Sequence, residues 1–320
     1  MRRASAQANP NIALIKYWGK ADEDLILPAA PSVSLTLDQY PTTTHIEPAA
    51  KDSFELNGRP ASEKETARVS AFLDVVREWA GGHQPHAAVR SVNEAPTGAG
   101  LASSASGFAA LALAAAHAYG LDLSPRDLSR LARRGSGSAA RSIVSGVALW
   151  HAGTDADSFA EPIPAPEMRM VVVPLSKTRK KVSSREAMRI SRETSPYYEA
   201  WVRTTRAMSE EMVEACAAGD FARIGALTES SAWRMHGLIA SSAPVIRYLT
   251  PASVEVFDAV SQLREDGLAA YGTADAGANV VVLTTPDDAA AVATGLSEYG
   301  DVTVCGPGEG ARLEPGARNE

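Results

Sequence analysis

The chain's 320 residues suffice for one large or two ordinary domains, and 45% hydrophobic with 22% charged residues is the composition of an ordinary water-soluble globular protein. A formal net charge of −7 argues against a general nucleic-acid binder. The two cysteines, Cys216 and Cys305, cannot build a disulfide framework and suit a reducing cytosol, and no apolar run reaches the roughly 18 residues of a membrane span.

Residues 1–7 are expected to be loose, and polar ASAQANPN after Arg2 and Arg3 argues against a signal peptide. Asn11–Trp18 is apolar and β-rich, Ser32–Leu37 alternates and Thr42–Ile46 is β-branched, so a sheet opens the chain. Within it, IKYWGK groups Lys16, Tyr17, Trp18 and Lys20 beside Gly19. Two readings stand: a substrate wall with a cationic tip, or a strand end with an aromatic core residue and a solvated lysine. Taken alone, these residues favour the second. Residues 62–80 predict an amphipathic helix with Val69, Phe72, Leu73 and Val76 on one face. His83 and His86 lie in a turn, GGHQPH, with no further metal ligands nearby, and read as surface loop.

A strand, HAAVRSVNEAP, then leads into PTGAGLASSASG, residues 96–107, which passes into the helical FAALALAAAHAY. Glycine lets backbone approach a ligand closely. The first amides of a helix lack partners and, with the helix dipole, favour phosphate. Ser103, Ser104 and Ser106 add neutral donors. The stretch reads as a nucleotide phosphate cradle; a flexible joint or a helix cap is the alternative. No Gly-Lys-Ser/Thr follows, and the third glycine of a dinucleotide fingerprint is replaced by Ser103.

Gly120 ends that helix, and Ser124–Pro125 caps the next, which carries Leu128 and Leu131 and ends at Arg133–Arg134. A second Gly/Ser segment, residues 135–146, offers Ser136, Ser138 and one cation, Arg141, able to grip a carboxylate or phosphate with two parallel hydrogen bonds. Residues 147–151 and 168–174 read as strands. Lys177, Arg179, Lys180, Lys181 and Arg185 then surround Ser183 and Ser184, either as a solvated face or as a seat for a strongly anionic ligand. Helices are expected from Ser195–Pro196 to about Ala218, from Asp220 to about Ile239, and from Thr250–Pro251. Two apolar segments, LAAYGT and ANVVVLTT, flank ADAGAN. There Asp275 sits among small residues, as a hairpin turn or as a carboxylate open to a ligand. A helix at 287–297 and a strand, DVTVC, complete an α+β half, and the tail from Gly306 is expected to be disordered.

PTGAGLASSAS resembles the ATP loop of the GHMP small-molecule kinase superfamily, P-x-x-x-G-L-x-S-S. ANPNIALIKYWGK, GSGSAARS, KKVSSREAM and YGTADAGAN, in that order over roughly residues 8–284, resemble one branch, the diphosphomevalonate decarboxylases. The resemblance implies an α+β, two-domain GHMP kinase fold. Residues 1–182 would form an ATP-binding domain like ribosomal protein S5 domain 2. Residues 183–305 would form a ferredoxin-like α+β domain, and 306–320 a disordered tail, with the site in the cleft between domains. It implies conversion of mevalonate 5-diphosphate and ATP into isopentenyl diphosphate, ADP, phosphate and carbon dioxide, with magnesium, in a cytoplasmic homodimer, with neither membrane nor nucleic acid as partner. By resemblance Asp275 faces the 3-hydroxyl as base or orienter, Lys20 stabilises the transferring phosphoryl group and Arg141 holds the C1 carboxylate. Tyr17, Trp18, Ser136, Ser138, Ser183, Ser184 and Met188 would line the substrate pocket. Pro96, Gly98, Gly100, Leu101, Ser103, Ser104 and Ser106 would hold ATP; no metal-ligand set is legible. Gly98 stands where a small residue such as alanine is usual in the family. The readings left beside this one are a decarboxylase of mevalonate 5-phosphate or a bisphosphate, a kinase that stops after phosphorylation, and a catalytically silent ligand sensor.

Overall fold

The computed structural model describes residues 1–94, 103–176 and 180–314. In chain order the first half runs β1 (Ala4–Ala8), β2 (Asn11–Ile15), β3 (Lys20–Asp22), β4 (Leu27–Pro28), β5 (Ser32–Thr36), β6 (Thr42–Ala49), β7 (Ser53–Leu56), β8 (Arg59–Pro60), α1 (Glu63–Trp79), β9 (His86–Asn93), α2 (Ser103–Tyr119), α3 (Pro125–Gly135), α4 (Ala139–Ser142), β10 (Val147–Trp150) and β11 (Ala160–Pro162). The second continues with β12 (Arg169–Val173), α5 (Ser184–Thr194), α6 (Tyr198–Ala218), α7 (Phe221–Ala240), α8 (Pro251–Glu265), β13 (Ala270–Thr273), β14 (Val280–Thr284), α9 (Ala289–Gly295), β15 (Thr303–Cys305) and β16 (Arg312–Leu313).

Three larger sheets carry the fold, in the orders β16-β1-β6-β9-β7-β8, β11-β10-β5-β2 and β13-β14-β12-β15. Helix α2 lies across the first sheet, against β1 and β6. Its Ala109, Ala110, Ala112, Ala114, Ala115, Ala116 and Ala118 are all buried, so the small side chains seat the helix close to the strands. The expected face of α1, Val69, Phe72, Leu73 and Val76, closes the same core. Strand β12 lies before the expected division at residue 182, yet it pairs with β14 and β15; the sheet of the second half begins there. The halves share a core, in which Ile12, Leu14 and Leu35 pack with Met170, Met212, Leu227 and Leu283.

Two expected loose ends are ordered. Residues 4–8 form β1, paired in register with β6, because Ala4, Ala6 and Ala8 alternate into the core. The segment from Gly306 to Glu314 is a strap rather than a disordered tail. Leu37 and Pro307 form an antiparallel bridge, Gly308 N–H donates to Thr36 O at 2.8 Å, and Gly310 N–H donates to Ser145 Oγ at 2.8 Å. Strand β16 then pairs with the outer edge of β1. Residues 315–320 of the expected tail lie outside the described residues. Helix α5 was not among the expected elements; Ser183 caps it, its Oγ accepting from Glu186 N–H at 3.2 Å.

Candidate active site

Lys16 follows the last residue of β2, and Asp275 follows β13 in the connection to β14. Lys16 Nζ donates to Asp275 Oδ1 at 2.6 Å and to Ala13 O at 2.8 Å, and Lys16 is 1% exposed. The Asp275 side chain keeps 28% of its surface open. Burial would raise its pKa, but Lys16, Arg141 and Lys180 outweigh that and hold it below the usual carboxylate range. Burial pulls Lys16 below its ordinary value, and the Asp275 carboxylate opposes that pull. Three cations and one carboxylate leave the cluster net positive by two, a site prepared for an anion.

Arg141 comes from the short helix α4, whose small residues Ala139 and Ala140 are fully buried. Its guanidinium donates from Nε to Asn11 Oδ1 at 3.2 Å and from Nη1 to Ser32 Oγ at 2.6 Å. Asn11 is itself fixed, its Nδ2 donating to Ser138 O at 3.1 Å and Ser142 Oγ at 2.7 Å. Burial pushes Arg141 down to about 10. Both of these acceptors are neutral, so the guanidinium charge is held in place without being cancelled.

Trp18 is 1% exposed, a core residue at the strand end, and Tyr17 is half-buried. Tyr17 packs edge-on to Trp150 with ring centroids 4.8 Å apart, and a Cβ on Gly137 would come within 2.8 Å of its hydroxyl, so the second Gly/Ser segment must pass as glycine. Trp18 lies in a cluster with Met188, Tyr198, Trp201, Tyr248 and Ala276, the residue after Asp275. Serine hydroxyls link the two Gly/Ser segments: Ser104 Oγ lies 3.3 Å from Ser136 Oγ, and Ser136 Oγ 3.5 Å from Ser138 Oγ. Ser106 Oγ is 2.8 Å from Thr42 Oγ1. Pro96, Gly98, Gly100 and Leu101 lie outside the described residues, as does the side chain of Ser103.

Lys20 does not join the cluster as expected. Its Nζ donates to Glu23 Oε2 at 2.5 Å, and the lysine in contact with Asp275 is Lys16, four residues earlier. Lys20 instead lines a cleft of about 540 Å³ together with Arg68, Arg134 and Arg185, opposed by Glu23 and Asp24. Lys16, Arg141 and Asp275 are not among its walls. IKYWGK joins the two places, since four extended residues span at most about 14 Å. Ser183 caps α5, and Ser184 Oγ accepts from Lys180 Nζ at 3.1 Å. Burial lowers the Lys180 pKa, and the Asp275 charge opposes that lowering. Among the described residues no group of three or more His, Cys, Asp or Glu side chains could hold a metal ion. The part-exposed Asp275 carboxylate nevertheless fits magnesium that arrives on phosphate oxygens, because that ion needs few protein ligands.

Residues 8–160 match the diphosphomevalonate decarboxylase-like N-terminal domain, and residues 170–305 the mevalonate 5-diphosphate decarboxylase C-terminal domain. The chain is 37% identical to diphosphomevalonate decarboxylase mvd1 of Aspergillus fumigatus, over 91% of this chain and 79% of that protein. A solved complex of MDDEF with MVAPP, AMPPCP and magnesium is 44% identical with a TM-score of 0.93, covering 98% of this chain and 99% of that one. The mevalonate diphosphate decarboxylase from Enterococcus faecalis is 43% identical with a TM-score of 0.92, at the same coverage.

Proposed function

This chain belongs to the diphosphomevalonate decarboxylase family, and from that premise we propose that it converts mevalonate 5-diphosphate and ATP into isopentenyl diphosphate, ADP, phosphate and carbon dioxide. Its architecture is the GHMP kinase fold. The observation that carries the site assignment is the convergence of Lys16 and Arg141 on Asp275.

Asp275 orients the 3-hydroxyl of the substrate toward the γ-phosphate of ATP. Phosphoryl transfer passes through a loose transition state, so placement matters more than base strength, and a carboxylate weakened by neighbouring cations suffices. Lys16, and not Lys20, carries the stabilising charge beside that carboxylate, and Lys180 adds a second cation. Arg141 holds the C1 carboxylate. The 3-oxygen bonds to the γ-phosphorus as the bond to ADP breaks, and the hydroxyl proton passes to Asp275. The C3–O bond then breaks, its electron pair leaving on phosphate; the C1–C2 bond breaks to release carbon dioxide, and its pair forms the C2=C3 double bond. Tyr17, Trp18 and Met188 exclude water around C3. Ser136, Ser138, Ser183 and Ser184 complete the substrate pocket, and Lys20 with Arg185 takes the diphosphate in the cationic cleft. The glycine/serine segment of residues 96–107 holds the ATP phosphates. Asp275 and the serine hydroxyls of that segment would hold magnesium, which supplies charge neutralisation for the phosphates.

The substrate choice rests on the four cations of the cleft, which outnumber its two carboxylates, Glu23 and Asp24, and so suit a diphosphate better than a monophosphate. A homodimer in the cytoplasm belongs to the same proposal, the dimer being testable by sedimentation; no described helix is long and apolar enough to cross a membrane. The deciding experiment incubates purified protein with ATP, magnesium and mevalonate 5-diphosphate and measures ADP and carbon dioxide together. Equal release of both is expected. ADP without gas would mean a kinase, and neither product a sensor or another substrate.

A further inference from the structure

The Lys16–Asp275 pair joins two sheets that share no strand. Lys16 follows β2 and Asp275 follows β13, and no ladder of hydrogen bonds connects those strands. Something else must set their separation. Helix α7 packs against both β2 and β13. Toward the first, Lys16 N–H donates to Ser231 Oγ at 3.0 Å. Toward the second, Gly272 N–H donates to Glu229 Oε2 at 2.9 Å, and His236 Nε2 donates to Ala274 O at 3.3 Å. A carbonyl only accepts, so that bond fixes the tautomer with its proton on Nε2. Glu229 and His236, seven positions apart, share one face of the helix, and Ser231 is turned from Glu229 by about 200°, onto the opposite side. Ser231 is 2% exposed and His236 7%. Burial, together with the Lys16 charge, keeps His236 neutral despite its bond to Ala274.

We propose that α7 is the spacer that sets the Lys16–Asp275 contact, with Ser231 and His236 as positioning residues that act through Lys16 and Asp275 without touching substrate. The inference rests on the decarboxylase reading of the same site. Ala274 directly precedes Asp275, so a carbonyl released at 274 frees the carboxylate to shift. A displacement of about 1 Å at a phosphoryl-transfer site costs on the order of 100-fold in rate.

The test compares His236→Leu, His236→Gln and Ser231→Ala in the full chain, with wild-type turnover of mevalonate 5-diphosphate measured first. Leucine removes the donor; glutamine keeps one and fills a similar volume. His236→Leu should lower kcat about 30- to 100-fold, with KM for ATP and for substrate within about threefold, while His236→Gln recovers most of kcat. Ser231→Ala should lower kcat about tenfold with the same constancy of KM. Crystals of the leucine variant should show Lys16 Nζ and Asp275 Oδ1 beyond hydrogen-bond distance, and those of the glutamine variant the contact intact. Equal kcat for the two His236 variants would overturn the proposal. If the leucine variant does not fold, unchanged kcat in Ser231→Ala overturns it instead. Failure of the underlying reading would show separately, in the wild-type enzyme.

Discussion

Lys16 Nζ and Asp275 Oδ1 lie 2.6 Å apart although 259 positions separate them in the chain. The contact draws one end of the first sheet system to one end of the second, and with Arg141 it makes a compact charged cluster.

Asp275→Asn should lower kcat by at least about 1,000-fold, an effect on the order of 4 kcal/mol in the barrier, with substrate binding retained. Coupled ADP and carbon dioxide release checks the rate, and titration calorimetry the binding. Near-normal turnover would remove Asp275 from its role.

The two lysines of IKYWGK should separate kinetically. Lys16→Met removes the cation in contact with Asp275 and should lower kcat about 100-fold. Lys20→Met removes a wall of the cationic cleft and should raise KM for mevalonate 5-diphosphate about tenfold, with a smaller effect on kcat. Reversed phenotypes would return the catalytic role to Lys20.

For Arg141→Lys a loss of about 100-fold in kcat/KM is expected. An ammonium cannot keep the Asn11 and Ser32 bonds while also presenting a planar two-pronged grip. A loss below about fivefold would mean that the carboxylate is held elsewhere.

Away from the site, Asp52 accepts from Arg77, Ser70 and the Ala87 amide. Burial alone would raise its pKa, but those hydrogen bonds bring it from 3.8 down to about 2. A depressed folded value means that the stabilisation is complete above the unfolded pKa and is lost as pH falls toward the folded one. Asp52→Asn should therefore cost about 2 kcal/mol at pH 7, and the difference should shrink between about pH 4 and 2. Urea unfolding across pH would show it; a constant difference would rule the linkage out.

Gly308 lies where a Cβ would overlap the Leu37 carbonyl. Gly308→Ala should destabilise the protein by about 2 kcal/mol, lowering Tm by about 3 °C. An unchanged Tm would mean that the strap can shift without cost.

Much of this was legible beforehand because local chemistry and tertiary context agree. Ser124–Pro125, Asp220 and Thr250–Pro251 start helices where their side chains cap them. Asp275, Arg141, Tyr17 and Trp18 were singled out by the family resemblance; the residues alone favoured a strand end for Tyr17 and Trp18 and a turn for Asp275. The choice between Lys16 and Lys20 was not legible. Strand β2 is buried along its whole length, so alternation does not tell which lysine points inward, and the deciding partner lies beyond β13. Ser231 and His236 sit inside a regular amphipathic helix, where the sequence cannot distinguish a tether from core filling. Helix α5 had a signal, Ser183 followed three residues later by Glu186, but the surrounding cations obscured it. Strand β1 is built on alanines, whose weak strand preference hides a core position.

The strap from Gly306 to Glu314 bears on biosynthesis. Synthesis runs from the amino end, so β1, β2 and β5 leave the ribosome long before the segment that borders β1 and bridges Leu37 has been made. The half translated first is thus the half finished last. Meanwhile the nascent polypeptide carries an uncovered strand margin, the kind of surface that holding chaperones shield.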